Sequence, residues 1–264
     1  MILEQIADNT RRRVARRKRA RPMDTLRAEA ERLPTDTGFP FERALRRDGL
    51  SVIAEVKRAS PSKGVIAPLF PYREIAREYE EGGAAAVSVL TEPDYFLGDD
   101  RYLTEIAADS CLPVLRKDFV VDDYQIYEAK LLGAAAVLLI CSLLPADTLR
   151  DYLGKAQALG LSALVEAHTA EEIRMALDMG ARVVGVNNRD LHTFDVDAAR
   201  SLSLRHMVPA EVLFVAESGV RGRADMEALE KGGADAVLIG ELLMRSADRP
   251  ALLRELRGAD HDEN

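Results

Sequence analysis

Charged residues stand at the ends of short apolar segments, where they could carry out acid–base chemistry. In each segment a charged residue lies two positions after an apolar one: Glu55 follows Ile53, Lys117 follows Leu115, Glu166 follows Leu164, and Glu217 follows Val215. Lys57 lies two positions beyond Glu55, on the same face. Alternate residues of a strand lie on one face, so these side chains share a face with core residues. Burying charges is costly unless they are paired or used. Lysines and glutamates could act as proton donors and acceptors, and an internal salt-bridge network is the alternative.

A repeated phrase indicates the elements that position these residues. The form Gly-Ala-x-x-Val recurs with its glycines at positions 83, 133, 180 and 233, which are 50, 47 and 53 residues apart. Each glycine can end a helix in the left-handed conformation, and the apolar run after it is typical of a parallel strand buried on both faces. An interval of this length holds two strand–helix units, so one more strand is expected between successive copies of the phrase. These further strands are predicted to begin at residues 51, 112, 162 and 213. The pattern predicts an α/β fold, a (β/α)8 TIM barrel with extra N-terminal helices, and an open doubly wound sheet is the alternative.

In such a barrel the active site lies at the C-terminal ends of the strands, and alternate strands contribute side chains to shared layers. The charged residues above belong to odd-numbered strands and lie near those ends. We therefore expect them to form rings at the barrel mouth. Asn187, which can donate and accept hydrogen bonds, ends the sixth strand, and Arg189 follows it on the same parity.

Glycine turns after the last two strands predict a phosphate site. The seventh strand ends in Glu217-Ser218-Gly219, with a helix expected to open at Arg221, and the eighth ends before Gly240 and Glu241. Glycines let backbone N–H groups approach a ligand, and helix N-termini favour anions. The loops after strands seven and eight are the usual phosphate site of these barrels. Ser60, in the loop after the first strand, is expected to lie beside them.

The regions outside the barrel are short. Residues 1–49 are predicted to form a helical extension packed on the barrel, residues 50–258 the barrel itself, and residues 259–264 a disordered acidic tail. The helical segments of the extension are predicted at 2–19, 24–32 and 41–47. We expect the many arginines of the first segment to form a solvated face. We also expect the extension to cover part of the mouth and to contribute to substrate binding more than to folding.

Composition excludes several classes of function. The 264 residues are 47% hydrophobic and 30% charged, with a net charge of −8, which argues against nucleic-acid and membrane partners. No apolar run approaches the roughly 20 residues that span a bilayer. Two distant cysteines, Cys111 and Cys141, predict neither a disulfide framework nor a metal site, so the cytoplasm is the expected compartment.

Five sequence blocks resemble indole-3-glycerol-phosphate synthase, an enzyme of tryptophan biosynthesis. They occur in order on the expected strands over nearly the whole chain: AEVKRASPSKG from Ala54, VLRKDF from Val114, VEAH from Val165, GVNNRDL from Gly185 and ESGV from Glu217. The resemblance implies a carboxy-lyase that closes an indole ring in 1-(2-carboxyphenylamino)-1-deoxyribulose 5-phosphate and releases CO2 and water. It implies no cofactor and no metal, and we expect a monomer or a weak homo-oligomer.

The resemblance also implies roles for individual residues. Lys117 is the implied general acid, Glu166 the base of the dehydration, and Lys57 the partner of the substrate carboxylate. The other implied contacts are Glu55 to Lys57, Asn187 and Glu217 to the ribulose hydroxyls and the lysines, Ser60, Gly219 and Gly240 to the phosphate, and Phe96 and Phe119 to the aromatic ring. Arg189, Ser218 and Glu241 complete the predicted substrate-binding set.

A general acid works best when its pKa lies near the working pH. We expect burial and the neighbouring lysine to lower the pKa of Lys117, which would make it a better acid near neutral pH.

The alternatives for the whole chain are another phosphate-binding barrel of the pathway, such as phosphoribosylanthranilate isomerase, and a non-catalytic binding protein. The isomerase needs a cysteine opposite an aspartate at strand ends, and neither cysteine is predicted there.

Overall fold

The computed structural model describes residues 2–189, 196–197 and 199–258, and it contains a closed barrel of eight parallel strands. Each strand pairs with the next in the chain, and β8 pairs with β1. The predicted (β/α)8 barrel is confirmed, and the open sheet is wrong. The predicted acidic tail, 259–264, lies outside the described residues. The barrel strands are β1 Ser51–Val56, β2 Ala86–Leu90, β3 Val114–Lys117, β4 Ala136–Ile140, β5 Ser162–Ala167, β6 Val183–Asn187, β7 Leu213–Glu217 and β8 Ala236–Ile239.

Twelve helices are described around this barrel. The one expected to open at Arg221 begins at Arg223, because the Arg221 N–H is turned back onto Asp225 Oδ2 at 2.8 Å. Among the described helices, none is long and apolar enough to cross a membrane. The helices are α1 Ile2–Ala20, α2 Met23–Ala30, α3 Pro40–Leu45, α4 Tyr72–Glu81, α5 Asp100–Asp109, α6 Tyr124–Leu131, α7 Ala146–Ala158, α8 Ala170–Asp178, α9 Ala199–Leu204, α10 Arg223–Lys231, α11 Glu241–Arg245 and α12 Arg249–Arg257.

The four glycines of the repeated phrase end helices as the sequence predicts. Gly83, Gly133, Gly180 and Gly233 all have φ between 81° and 92°, in the left-handed region. A residue with a Cβ is strained there. Each glycine thus turns the chain from a helix into a strand of the barrel, which explains why the phrase precedes every even-numbered strand.

The N-terminal extension contacts both ends of the barrel. Ile2, Leu3 and Ile6 of α1 line a cavity at the C-terminal mouth. Helix α3 packs instead at the opposite end, where Phe41 is fully buried with the first residues of the strands. The hydroxyl of Ser162, which begins β5, donates to Glu42 of α3 at 3.0 Å. Because α3 closes the barrel floor, removing the whole extension would expose core as well as open the mouth.

The arginines of α1 divide into two groups, so the expectation of a wholly solvated face is wrong. Arg13 is only 8% exposed and donates to Asp118 at 3.1 Å. Arg17 pairs with Asp100 at 2.7 Å and with Glu128 at 2.6 Å. Asp118 follows β3, Asp100 begins α5 and Glu128 lies on α6, and all three carboxylates face α1. Ion pairs therefore fix the helix across the mouth, while the remaining arginines of α1 are more exposed.

Candidate active site

Lys117 lies at the centre of the barrel mouth between two carboxylates. Its Nζ donates to Glu166 Oε2 at 3.1 Å and to Glu217 Oε2 at 3.0 Å. Lys57 Nζ donates to Glu55 Oε1 at 2.6 Å. The structure thus brings together all five charged residues that strand parity placed on the inner face, as two ion-paired groups.

Strand register explains this placement. Ile53, Leu115, Leu164 and Val215 belong to one buried cluster inside the barrel. The charged side chains come two residues later on the same strands and therefore lie one layer nearer the mouth. Gly185 on β6 makes room for them, because a Cβ at this position would collide with Glu217 Oε1. The layer of Ile53, Leu115, Leu164 and Val215 therefore separates the charged side chains from the opposite end of the barrel.

The electrostatics of Lys117 differ from the sequence expectation. Burial opposes its charged form, but the carboxylates of Glu217, Glu166 and Glu55 outweigh burial and raise the pKa of Lys117 above its ordinary value. The expected lowering is wrong because three carboxylates, not the second lysine, dominate its surroundings. Lys117 is therefore charged at neutral pH, with a proton available for donation.

The two glutamates that contact Lys117 are shifted in opposite directions. Burial raises the pKa of Glu217 to about 7, although Lys117 opposes the shift. Burial also disfavours the ionised form of Glu166, but Lys117 and His168 outweigh it and lower the pKa of Glu166. Asn187 Nδ2 donates to Glu166 Oε1 at 3.3 Å. Glu166 is thus held as a carboxylate beside a glutamate that titrates near neutrality.

An apolar wall stands beside these charges. Phe96 and Phe119 lie with their ring centroids 5.9 Å apart, and both line the cavity that Lys117 enters. Sequence reasoning missed the residue that fixes this wall. Glu92 is fully buried and accepts backbone N–H bonds from Tyr95 at 2.7 Å and from Phe96 at 3.1 Å. A glutamate followed closely by an aromatic residue carries no sequence signal for such a loop.

Further apolar residues of this cavity were also missed by sequence reasoning. Leu90 and Ile140 end even-numbered strands, and an apolar residue at the end of an apolar strand carries no sequence signal for a binding site. Together with the apolar residues of α1, they give the cavity a surface that suits an aromatic ring. The additional lining residues are Ile2, Leu3, Ile6, Leu90, Leu138, Ile140 and Leu238.

A second cavity adjoins the first and is lined by the two glycine turns. Ser218, Gly219, Gly240 and Glu241 all contribute to it. Gly219 has φ of 94° and Ser218 has φ of 67°, a strained conformation for a residue with a side chain. A Cβ at position 240 would lie 2.8 Å from Lys57 Nζ. Only glycine at 240 therefore leaves Lys57 where it is, between the two cavities.

Three arginines also line the second cavity. Arg221 and Arg245 line it and were missed by sequence reasoning. Arg189, which was predicted, lines both cavities, and its backbone N–H donates to Asn187 Oδ1 at 3.0 Å. Ser60 lies on the wall of the first cavity rather than the second, because its loop folds back through a short antiparallel pairing with Gly64.

Comparisons with known proteins agree with this geometry. The family model for indole-3-glycerol phosphate synthase matches residues 3–256. A relative of that name from Ruminiclostridium cellulolyticum is 52% identical over 259 residues, which are 98% of this chain and 100% of the relative. Another from Endomicrobium trichonymphae is 50% identical over 97% of this chain and 100% of its own length.

A solved structure of a protein with a different name has a similar fold. The 3-hexulose-6-phosphate synthase of Salmonella typhimurium superposes with a TM-score of 0.63 at 14% identity, over 79% of this chain and 97% of that one. At that identity the likeness concerns the barrel alone. The family match, in contrast, covers the barrel and the N-terminal helices together. The chain belongs to the indole-3-glycerol phosphate synthase family.

Proposed function

We propose that the chain converts 1-(2-carboxyphenylamino)-1-deoxyribulose 5-phosphate to indole-3-glycerol phosphate, CO2 and water, as a carboxy-lyase of tryptophan biosynthesis. The observation that carries the proposal is the pair of adjoining cavities, one apolar with Lys117 between carboxylates and one formed by glycine turns. The first suits an aryl ring next to a reacting carbonyl, and the second suits a phosphate. Membership of the family sets aside the isomerase and the non-catalytic barrel.

Lys117 acts as the general acid of the cyclisation. The ring carbon that bears the carboxylate attacks the ribulose carbonyl, and Lys117 donates a proton to the carbonyl oxygen as its charge develops. A charged donor in a buried site stabilises that oxygen more strongly than it would in water. The carboxylates of Glu166 and Glu217 hold the ammonium at 3.1 and 3.0 Å in the resting protein, so the substrate oxygen must compete with them for it.

Glu166 acts as the base of the later dehydration. Loss of CO2 leaves a hydroxyl on the new ring, and its departure as water requires removal of a proton from the ring. A base must be ionised to accept that proton, and Glu166 is held ionised by Lys117 and His168. Asn187 orients it through the bond to Oε1. Glu217 contacts the ribulose hydroxyls and Lys117.

Lys57 and the glycine turns bind the two anionic ends of the substrate. Lys57 lies at the junction of the two cavities, where its ammonium binds the aryl carboxylate until CO2 leaves, and Glu55 holds it. Backbone N–H groups of Gly219 and Gly240 bind the phosphate, with Ser218 and Glu241 in the same cavity and Ser60 on the wall of the adjoining first cavity. Phe96 and Phe119 contact the aryl ring, and Arg189 contacts substrate from between the cavities.

A steady-state assay tests this function. The purified chain should form indole-3-glycerol phosphate from the carboxyphenylamino-deoxyribulose phosphate, and the analogue without phosphate should turn over far less efficiently. Gly219→Val should raise KM, because valine is strained at a φ of 94°. Equal turnover of both compounds would refute the phosphate site, and no product from either would refute the function.

We also propose where the chain acts and in which oligomeric state. The chain works on a phosphorylated small molecule, without a nucleic-acid or membrane partner, in the cytoplasm. Its net charge of −8 argues against those two partners, and its two distant cysteines suit a reducing compartment. We propose that it acts as a monomer or a weak homo-oligomer, which sedimentation at assay concentration would test.

A further inference from the structure

His168 lies between the Glu166 carboxylate and a second glutamate outside the cavity. Its Nε2 is 3.5 Å from Glu166 Oε1, and its Nδ1 is 3.6 Å from Glu172 Oε2. Both distances are those of an ion pair rather than of an ordinary hydrogen bond. The His168 side chain is 14% exposed, whereas that of Glu166 is 3% exposed. The imidazole is therefore placed between a buried carboxylate and the start of α8.

The start of α8 fixes Glu172 as a rigid support for the imidazole. Thr169 is the N-cap and accepts the Glu172 N–H at 3.2 Å. Glu172 Oε2 in turn accepts the backbone N–H of His168 at 2.6 Å. This reciprocal arrangement resembles a capping box, in which the side chains at both ends of the first turn are held. The carboxylate that faces Nδ1 is thus held in place on its own element.

The charges around His168 favour the imidazolium. Burial opposes protonation, but Glu172 from α8, Glu166 from β5 and Glu217 from β7 raise the pKa of His168 above its ordinary value. Cys141, in the turn after β4, also packs here with its thiol 3.6 Å from the Glu172 carbonyl oxygen. Burial raises the pKa of Cys141 to about 12, so the thiol stays neutral.

Lys117 and His168 contact different oxygens of the same carboxylate. Lys117 takes Oε2 of Glu166, while His168 and Asn187 face Oε1. When the reacting substrate draws Lys117 away, one of the two cations that stabilise ionised Glu166 is lost. The imidazolium remains, because it is held by Glu172 and lies outside the cavity lining.

We propose that His168 is a positioning residue for Glu166, and that its imidazolium, supported by Glu172, keeps this carboxylate ionised and oriented after Lys117 has turned to the substrate. The inference rests on the proposed function, because it assigns His168 to the dehydration step. A purely structural role at the start of α8 would lower stability and leave the pH dependence of turnover unchanged.

The test is the pH profile of kcat for His168→Gln. An opposite charge within about 4–6 Å typically lowers a carboxyl pKa by about 1–3 units. The acidic limb of the profile, which reports the ionisation of Glu166, should therefore move to higher pH by about one unit. On that limb kcat should fall by up to about tenfold, and at pH 8 it should change little. His206→Gln, the same change at an exposed histidine, should leave the profile unchanged.

Glu172→Gln provides a second variant that keeps an acceptor for the His168 N–H. It removes the charge that faces Nδ1, so it should move the acidic limb in the same direction by a smaller amount. An unmoved limb in both variants would overturn the proposal. A kcat that falls equally at every pH would also overturn it, since this is the signature of a structural role.

A measurement without turnover separates this inference from the proposed function. NMR titration of the imidazole protons should give His168 a pKa above its ordinary value in the wild-type protein. The pKa should fall in Glu166→Gln, because one facing carboxylate is removed. If the titration is normal and unmoved, the inference fails even when the enzyme is active. If the titration behaves as expected but no product forms, the proposed function fails instead.

Discussion

Two buried ion clusters lie on opposite faces of strand β3, and they begin at neighbouring residues. Arg116 points outward to a set that we call the outer cluster, formed with Asp100, Asp118, Glu128, Arg13 and Arg17. Lys117 points inward to the inner cluster, formed with Glu166, Glu217, Glu55, Lys57 and Asn187. Arg116 and the two glutamates that contact Lys117 are almost fully buried, yet the two clusters differ in how completely their buried polar atoms are bonded.

The outer cluster satisfies the guanidinium at its centre. Arg116 Nη2 donates to Asp100 at 2.9 Å and to Glu128 at 2.7 Å, its Nη1 to the Gln125 carbonyl oxygen at 3.0 Å, and its Nε to Thr91 at 3.3 Å. In the inner cluster, Glu217 Oε1 is buried with no hydrogen-bond partner among the described residues. Buried polar atoms are normally bonded, so an unpaired one beside a cavity agrees with the proposed contact between Glu217 and the substrate. Incomplete pairing thus distinguishes the inner cluster, for which we propose catalysis, from the outer cluster, for which we propose a structural role.

The largest expected effect comes from the inner cluster. Glu166→Gln keeps the shape of the side chain but removes the base, and loss of a general base typically costs about 10² to 10⁴ in rate. The unfolding midpoint should change little, because the amide still accepts a bond from Asn187. Rapid-quench samples should contain a cyclised species that has not yet lost water. Wild-type kinetics with no such species would remove Glu166 from the mechanism.

The outer cluster should show the reverse behaviour. Arg116→Met leaves Asp100, Asp118 and Glu128 without the central cation, and breaking a buried ion pair costs about 3–5 kcal/mol of stability. Denaturant unfolding should detect this loss, while kcat per folded molecule stays close to wild type. A variant of normal stability and strongly reduced kcat would mean that the two faces of β3 are not separate in function.

A smaller effect is expected where the outer cluster reaches α1. Arg13→Met removes bonds to Asp118 and Glu92, and leaving a buried acceptor unsatisfied costs about 1–3 kcal/mol. Since α1 lines the mouth through Ile2, Leu3 and Ile6, we also expect a rise in KM of a few fold with kcat unchanged. Arg12→Met, at an exposed position of the same helix, is the matched control and should alter neither quantity.

The last effect is a difference in how stability depends on pH. Burial raises the pKa of Glu217 from 4.5 to about 7, so the folded protein binds this proton more tightly than the unfolded chain does. Wild-type stability therefore falls as pH rises between these values, and Glu217→Gln lacks that contribution. The unfolding free energy of the variant relative to wild type should increase from pH 4.5 to pH 7 and then level off. A constant difference would show that Glu217 titrates normally.

Periodicity made the inner cluster predictable from sequence. Parity on odd-numbered strands placed Lys57, Lys117, Glu166 and Glu217 on the inner face, because strand alternation is a local property of the backbone. The repeated Gly-Ala phrase located the strands themselves. Resemblance to the family added the aromatic wall of Phe96 and Phe119.

The outer cluster and the electrostatics were not predictable in the same way. Arg116 lies on the parity opposite to Lys117, and its partners Asp100 and Glu128 lie on α5 and α6, whose approach depends on how these helices pack on the barrel. The same holds for Arg13, which sequence reasoning assigned to solvent. The pKa of Lys117 was predicted in the wrong direction because its sign depends on which charges close in space dominate, and sequence spacing does not contain those distances.

The turnover of Lys117→Arg tests the central claim most directly. Arginine keeps the positive charge beside Glu166 and Glu217, so the fold and the electrostatic field of the inner cluster should persist, but it does not give up a proton at neutral pH. If the inner cluster works by proton transfer from Lys117, kcat should fall by about 10² or more while the unfolding midpoint stays near wild type. A near-normal kcat would contradict the account, because Lys117 would then act only as a fixed charge, as Arg116 does on the other face of the strand.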